Sequence, residues 1–283
     1  MSKRYKICTI VAVSLILIGC IIFGGVMTVL KWDFKKLSTA KYETNEYSIG
    51  EDFKDISITT NTADITFLPS ENAQTKIICH EQSTLKHSVA VKDGTLSVEV
   101  IDTRQWYDYI GINFETPKIT VYIPSGEYGA LKIKTSTGSI NAADISADSA
   151  EFSVTTGEIT ATNLKINGDI KTSVSTGKTN ITDMQCNNFT SDGNTGNIIL
   201  KNTIAKEKIS VKRSTGNVKF ESCDANEILI TTDTGSVTGS LISEKVFIAK
   251  TDTGHINVPK TTGGGRCEIT TDTGNIKITV IGD

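Results

Sequence analysis

"TTDTGSV" (231–237), "KTDTGHI" (250–256) and "TTDTGNI" (270–276) are one seven-residue phrase written three times with changes only at its edges. A catalytic loop needs a single copy, whereas a corner that the chain turns again and again needs many. Thr-Gly recurs in register with Gly138, Gly157, Gly177, Gly196, Gly216, Gly235, Gly254 and Gly274 in second place, at steps of 19, 20, 19, 20, 19, 19 and 20 residues. So regular a step is a repeat architecture.

Each period has internal structure. Two residues after the glycines stand Ile140, Ile159, Thr179, Ile198, Val218, Val237, Ile256 and Ile276, and the next apolar position comes two later. Asn, Thr and Lys fill the places between, which is the period-two signature of a strand with one inward face. Seven and five residues before the glycines another alternating run carries Leu131, Ile133, Ile209, Val211, Ile228 and Ile230. Each repeat therefore reads as strand, Thr-Gly corner, strand and a looser return. Twenty residues cannot hold two strands and a crossover helix, and one such turn of chain cannot bury its own apolar face. Stacked turns can. The spacing predicts an all-β chain, a parallel β-solenoid of 19–20-residue coils, right-handed by the chirality of parallel connections. Glycine supplies the backbone freedom of the corner, and threonine stacks on threonine beside it. Inward positions such as Ile159, Ile198 and Ile256 are expected to be buried.

Asp233, Asp252 and Asp272 stand two before their glycines, where earlier repeats carry Ser136, Thr155, Ser175, Asn194 and Ser214. These are turn formers, so the aspartates read as a structural ladder on successive coils rather than as calcium ligands. Asp-Thr-Gly also serves in aspartic proteases, but three copies at a solenoid period do not fit that two-lobed fold.

The chain opens "MSKRYKICTIVAVSLILIGCIIFGGVMTVLKWDFKK", and residues 7–30 carry no charge over a length that crosses a bilayer. A short basic start before that run reads as a signal-anchor, with residues 1–6 inside and the bulk of the chain exported. "LIGC" (17–20) offers lipidation of Cys20 as an alternative. Residues 1–36 are net +5, which leaves −8 for residues 37–283 and argues against nucleic acid. Of six cysteines, Cys8 and Cys20 lie in the apolar run and Cys79 outside the regular repeats, while Cys186, Cys223 and Cys267 fall at differing phases of the repeat and read as core residues rather than disulfides. CxxC and His-rich spacings are missing and His80, His87 and His255 are scattered, so the sequence supports neither a metal nor any other cofactor.

Residues 31–50 read as a linker and 51–283 as the solenoid, with Ala63 in the glycine's place of an early coil and regular repeats from about residue 129. The period is lost over residues 74–125, where Asp93-Gly94 between alternating runs predicts a hairpin, hence an inserted antiparallel flap. Its loop "RQWYDYIGINF" (104–114) holds Trp106, Tyr107, Tyr109 and Phe114, either a contact patch or a cap folded over a solenoid end.

The order of spanning helix, early coil, insertion ending in "KITVYIPSGEYGALKIKTSTGSI" and repeats of "TTGEI", "STGKT" and "DTGNI" resembles the bacterial putative-adhesin family of β-strand-repeat proteins, the LiaG-like group. The resemblance covers residues 40 to 283 and implies an exported, membrane-anchored solenoid of the cell envelope, with roles in adhesion or envelope stress and no catalytic motif. Three functions follow. One is a non-enzymatic scaffold that binds a wall polymer, a host surface or an envelope protein. The second is an accessory of a membrane sensor, through a Cys20, Gly24, Thr28 seam on the helix. The third is a carbohydrate-active β-helix enzyme, for which Lys178, Lys212, Arg213 and Lys219 are the basic groups on offer.

Overall fold

A computed structural model describes residues 3–38, 40–109, 113 and 115–281. One helix, α1 (Lys3–Val29), is followed by nineteen strands: β1 (Tyr42–Ile49), β2 (Asp55–Thr62), β3 (Asp64–Pro69), β4 (Thr75–Gln82), β5 (Leu85–Lys92), β6 (Thr95–Asp102), β7 (Lys118–Ile123), β8 (Glu127–Thr137), β9 (Ile140–Ala143), β10 (Ser146–Ile166), β11 (Asp169–Thr195), β12 (Ile198–Thr215), β13 (Val218–Cys223), β14 (Glu227–Thr234), β15 (Val237–Leu241), β16 (Lys245–Thr253), β17 (Ile256–Asn257), β18 (Gly265–Thr273) and β19 (Ile276–Val280). The fold is all-β with one N-terminal helix. The chain forms two units, residues 1–42 with 103–115, and residues 43–102 with 116–283.

In the first unit, the stretch Arg4–Val29 is long and apolar enough to cross a membrane, with 26 residues and a length of about 39 Å. Its end is closed by Trp32 N–H donating to the Met27 carbonyl at 2.8 Å, with Lys31 and Trp32 both at positive φ. Thr28 Oγ1 donates to the Gly24 carbonyl at 2.7 Å, so this hydroxyl of the predicted seam is already bonded within its own helix.

The second unit is built from parallel ladders one repeat apart. Ala150 pairs with Ile170, Gly157 with Gly177 and Ile159 with Thr179 between β10 and β11. Strands of 21 and 27 residues run unbroken through several corners because each corner keeps its ladder to the next repeat. The repeat around Gly177 buries Ile170, Thr172, Val174, Thr179, Ile181, Met184 and Cys186. The last two lie on the return, which is thus a third side with its own inward positions. Burial of an isoleucine or phenylalanine at such a place contributes about 1.5–3 kcal/mol. That is the source of cohesion between repeats which cannot fold singly.

The order of repeats departs from chain order at both ends. Cys267 pairs with Ile228 on one side and with Phe247 on the other, and Ile276 likewise with Val237 and Ile256. The last repeat is therefore inserted between its two predecessors, and the β16–β17 repeat is terminal. Hence Ile256, expected inside, is 46% exposed, whereas Ile159 and Ile198 are fully buried. At the other end Ile56 pairs with both Leu131 and Leu96, and Ile65 with both Ile140 and Ile119. Strands β6 and β7 thus make one more parallel repeat outside the Ala63 repeat. The expected flap is only partly antiparallel: β4 runs against β7 and β5 against β6, extending the two sides. Backbone groups on the outer edge of β2 and β3 would otherwise be unpaired, which is the physical reason for the extra repeat. Asp93 and Gly94, with φ of 49° and 72°, make the predicted tight hairpin turn.

Candidate functional site

Four features of the described residues carry polar or aromatic groups in an unusual arrangement. The first is the corner row, whose spatial order is Ala63, Gly138, Gly157, Gly177, Gly196, Gly216, Gly235, Gly274, Gly254. At Gly177 (φ 141°) an added Cβ would stand 1.6 Å from the Gly157 carbonyl oxygen, so neighbouring repeats touch backbone to backbone. In four of the repeats a threonine three residues before the corner ties the repeat to its neighbour. Thr135 Oγ1 donates to the Ala63 carbonyl (3.2 Å), Thr232 to Gly216 (3.3 Å), Thr271 to Gly235 (2.9 Å) and Thr251 to Gly274 (2.9 Å). One residue past the corner, Asn197, Asn217 and Asn275 accept the amides of Asn217, Ser236 and His255 in turn, at 2.8–2.9 Å. Asp233, Asp272 and Asp252 lie in register and exposed, with Asp272 in the middle because the last two repeats are exchanged. Lys250 Nζ stands 3.5 Å from Asp252 Oδ1.

A second corner row escaped the sequence reading. Asp144, Asn163, Asp183, Asn202 and Ser222, each six residues after a glycine, all hold φ of 47–57°. Asn163 Nδ2 donates to Asp144 Oδ1 at 2.6 Å and Asn202 Nδ2 to Asp183 Oδ1 at 2.7 Å. Alternation of acid and amide keeps carboxylates from facing each other, and short Asx side chains tolerate this left-handed conformation. Its sequence signal was the recurring Asx at a fixed offset from the glycine.

The second feature is the loop of the first unit. Trp106, Tyr107 and Tyr109 are 75%, 56% and 62% exposed; Phe114 lies outside the described residues. Trp106 and Tyr107 meet edge to face at 5.8 Å, and the Arg104 guanidinium sits 4.5 Å over the Tyr109 ring. Asp108 accepts the Gln105 amide at 2.8 Å, closing the turn that presents them. The third feature is an open cleft of about 550 Å³ beside Phe53 and Tyr128, whose rings stack at 6.1 Å.

The fourth is polar chemistry inside the repeats. Arg213 is 2% exposed and donates to Thr179 Oγ1 (3.1 Å) and Ser191 Oγ (2.9 Å); burial holds its pKa below the usual value, against the pull of Asp192. Gly193 leaves the room it occupies, since a Cβ there would stand 2.1 Å from the guanidinium. Nearer the start of the unit, His87 Nδ1 lies 2.7 Å from Glu81 Oε2 and His87 Nε2 lies 2.9 Å from Thr60 Oγ1. Hydroxyl, imidazole and carboxylate form the chain of a nucleophile relay, but Thr60 at 3% exposure offers no face to a substrate. Cys79, Cys186 and Cys267 are buried thiols, each pushed up to about 12 by burial, and Cys223 to about 11. The basic side chains considered for a lyase do not converge: Arg213 points inward and Lys219 pairs with Glu221 at 2.5 Å.

An apolar N-terminal helix followed by stacked β-repeats with glycine corners defines an all-β repeat class. The Toastrack (DUF4097) family model matches residues 53–283, and the chain belongs to that family. No curated protein matches the chain. Among solved structures it is similar to a putative adhesin of Bacteroides fragilis NCTC 9343, at 17% identity over 85% of this chain and 97% of that one, with a TM-score of 0.51. A putative adhesin of Parabacteroides distasonis ATCC 8503 (11% identity, 85% and 98% covered, TM-score 0.31) is also similar. So is a putative lipid binding protein of the same strain (14%, 86% and 98%, 0.33).

Proposed function

We propose that the protein is a membrane-anchored, extracytoplasmic scaffold of the cell envelope that binds a surface partner without catalysis. Its α1 helix is the single-pass anchor, with the bulk of the chain outside, and its repeats wind as a right-handed β-solenoid. Adhesin-like relatives support a binding role, and the exchange of repeats at either end keeps the reading of one continuous stack. The observation that carries the proposal is the exposed aromatic loop. Three large rings held by mutual contact and by Arg104 are costly to leave in water and already ordered for a partner. Planar apolar rings with polar edges suit a wall polymer or glycan, or an aromatic-binding protein surface.

The test is a screen of the full-length protein, held in detergent or nanodiscs, against glycans and purified wall polymers. A specific ligand should lose on the order of 30-fold in affinity with Trp106→Ala, equivalent to about 2 kcal/mol for a central aromatic contact. A ligand whose binding is untouched by Trp106→Ala, Tyr107→Ala and Tyr109→Ala together would place the contact elsewhere. Release of shortened polymer would replace the scaffold with an enzyme.

A further inference from the structure

The β4–β5 hairpin carries a group that the binding reading leaves unused. Strand periodicity sets Cys79 and Glu81 on one inward face of β4, and the turn returns His87 of β5 against them. Cys79 and Glu81 are fully buried and His87 is 5% exposed. Their sulfur, carboxylate and imidazole ligand atoms all lie within 4.8 Å of one another, the one such group among the described residues.

We propose that Cys79, Glu81 and His87 form a buried Zn²⁺ site that ties β4 to β5 across this hairpin. Thiolate and imidazole select a borderline metal over calcium or magnesium, which take oxygen ligands. The charges also close. One thiolate and one carboxylate neutralise the dication, and the imidazole stays neutral, so the buried group carries no net charge. Supporting bonds are in place around the ligands. Glu81 Oε1 accepts Asn45 Nδ2 at 2.7 Å, and Oε2 accepts the His87 amide at 2.6 Å. Thr60 Oγ1, 2.9 Å from His87 Nε2, accepts its proton in the metal form and leaves Nδ1 free as the ligand.

Without an ion, a proton lies between Nδ1 and Oε2, which are 2.7 Å apart. In a tetrahedral site, with a water as the fourth ligand and bonds of about 2.0–2.1 Å, the same two atoms stand about 3.3 Å apart, an opening that side-chain rotation supplies. Binding therefore moves the His87 proton from Nδ1 to Nε2, where Thr60 Oγ1 accepts it, and releases the Cys79 Sγ proton to solvent. Cys79 is the sulfur of the group, so a thiolate-to-metal band reports the ion directly.

The test uses the full chain in detergent, stripped with a chelator and titrated with Co²⁺. Expected is one equivalent giving a sulfur-to-cobalt charge-transfer band and the visible bands of tetrahedral cobalt, both bleached by Zn²⁺. Cys79→Ser should abolish the charge-transfer band and Cys186→Ser should keep it. Glu81→Gln and His87→Asn should each weaken binding at least tenfold. No thiolate band in the wild-type protein, or a band that survives in Cys79→Ser, overturns the site. Should Cys79→Ser not fold, X-ray absorption on the zinc-loaded wild-type protein decides. One sulfur per zinc supports the site, and a shell of nitrogen and oxygen alone overturns it.

Discussion

Replacing Gly177 with alanine tests whether the corner row holds the repeats in contact. At φ 141° an L-residue is strained by about 1–3 kcal/mol, and the new Cβ would stand 1.6 Å from the Gly157 carbonyl oxygen and 2.7 Å from its carbon. Both atoms are backbone, so relief requires parting the ladder that joins Thr156 to Thr176 and Ile159 to Thr179. Overpacking of this kind costs about 1–3 kcal/mol more, while the stiffer unfolded chain returns at most about 1 kcal/mol. A net loss of about 2–5 kcal/mol lowers the melting temperature of a body this size by about 5–20 °C. Gly94→Ala is the control: its φ is also positive, at 72°, but nothing lies within 4 Å of the added carbon. That variant should lose about 1–2 kcal/mol, or a few degrees. The assay is thermal unfolding of the full chain in detergent, followed by circular dichroism. If Gly177→Ala melts no lower than Gly94→Ala, the contact between corners is not what glycine is there for.

Ile198→Asp should prevent stable folding by leaving a carboxylate unpaired in the core, while Ile256→Asp, on the terminal repeat, should stay within a few degrees of the parent; equal losses would refute the exchanged order. Arg213→Met should be neutral or stabilising by about 1–4 kcal/mol, since a buried guanidinium bonded to hydroxyls gives way to apolar volume; a loss of several degrees refutes this. Cys186, Cys223 and Cys267 titrate higher in the fold than their ordinary value of 9.0, so their stabilising effect is full below that pH. It should be lost as pH rises toward 11–12, read as alkaline unfolding that Cys186→Ala shifts upward. Millimolar calcium should not raise the melting temperature through the Asp233, Asp272, Asp252 row; a rise of several degrees abolished by Asp272→Asn would make that row a calcium site. Cys20→Ala should leave the protein membrane-bound at unchanged size, and its release would establish lipidation as the anchor.

The candidate sites were legible in uneven measure. The aromatic loop was visible as composition, whereas the contacts of its rings with each other and with Arg104 came only from the structure. The zinc ligands were invisible as a motif, because Cys79 and Glu81 look like one strand's alternation and His87 like an isolated histidine. Only pairing across the hairpin brings them together. Arg213 stood only among the basic groups on offer for a carbohydrate-active site, yet it is buried. It stands on the inward side three before Gly216, and the absence of a side chain at Gly193 in the preceding repeat is what admits it.

The sequence alone determined the period, the corner glycines, two of the three sides of each repeat and the apolar helix. Those are properties of nearest neighbours along the chain and of a ladder in which like pairs with like. What it could not determine was which repeat lies beside which. The phrases at 231–237, 250–256 and 270–276 present nearly the same edge, so local pairing energy does not distinguish a last repeat added outside from one inserted between its predecessors. Tertiary structure decides it through connections and burial. Residues 242–244 are enough to climb two strand spacings, about 10 Å, and the glycine-rich return before β18 is long enough to come back. The inserted repeat then buries Cys267, Ile269, Ile276 and Ile278 on both neighbours, while Val246 and Ile248, apolar on the wrong face for an interior strand, remain at the free end.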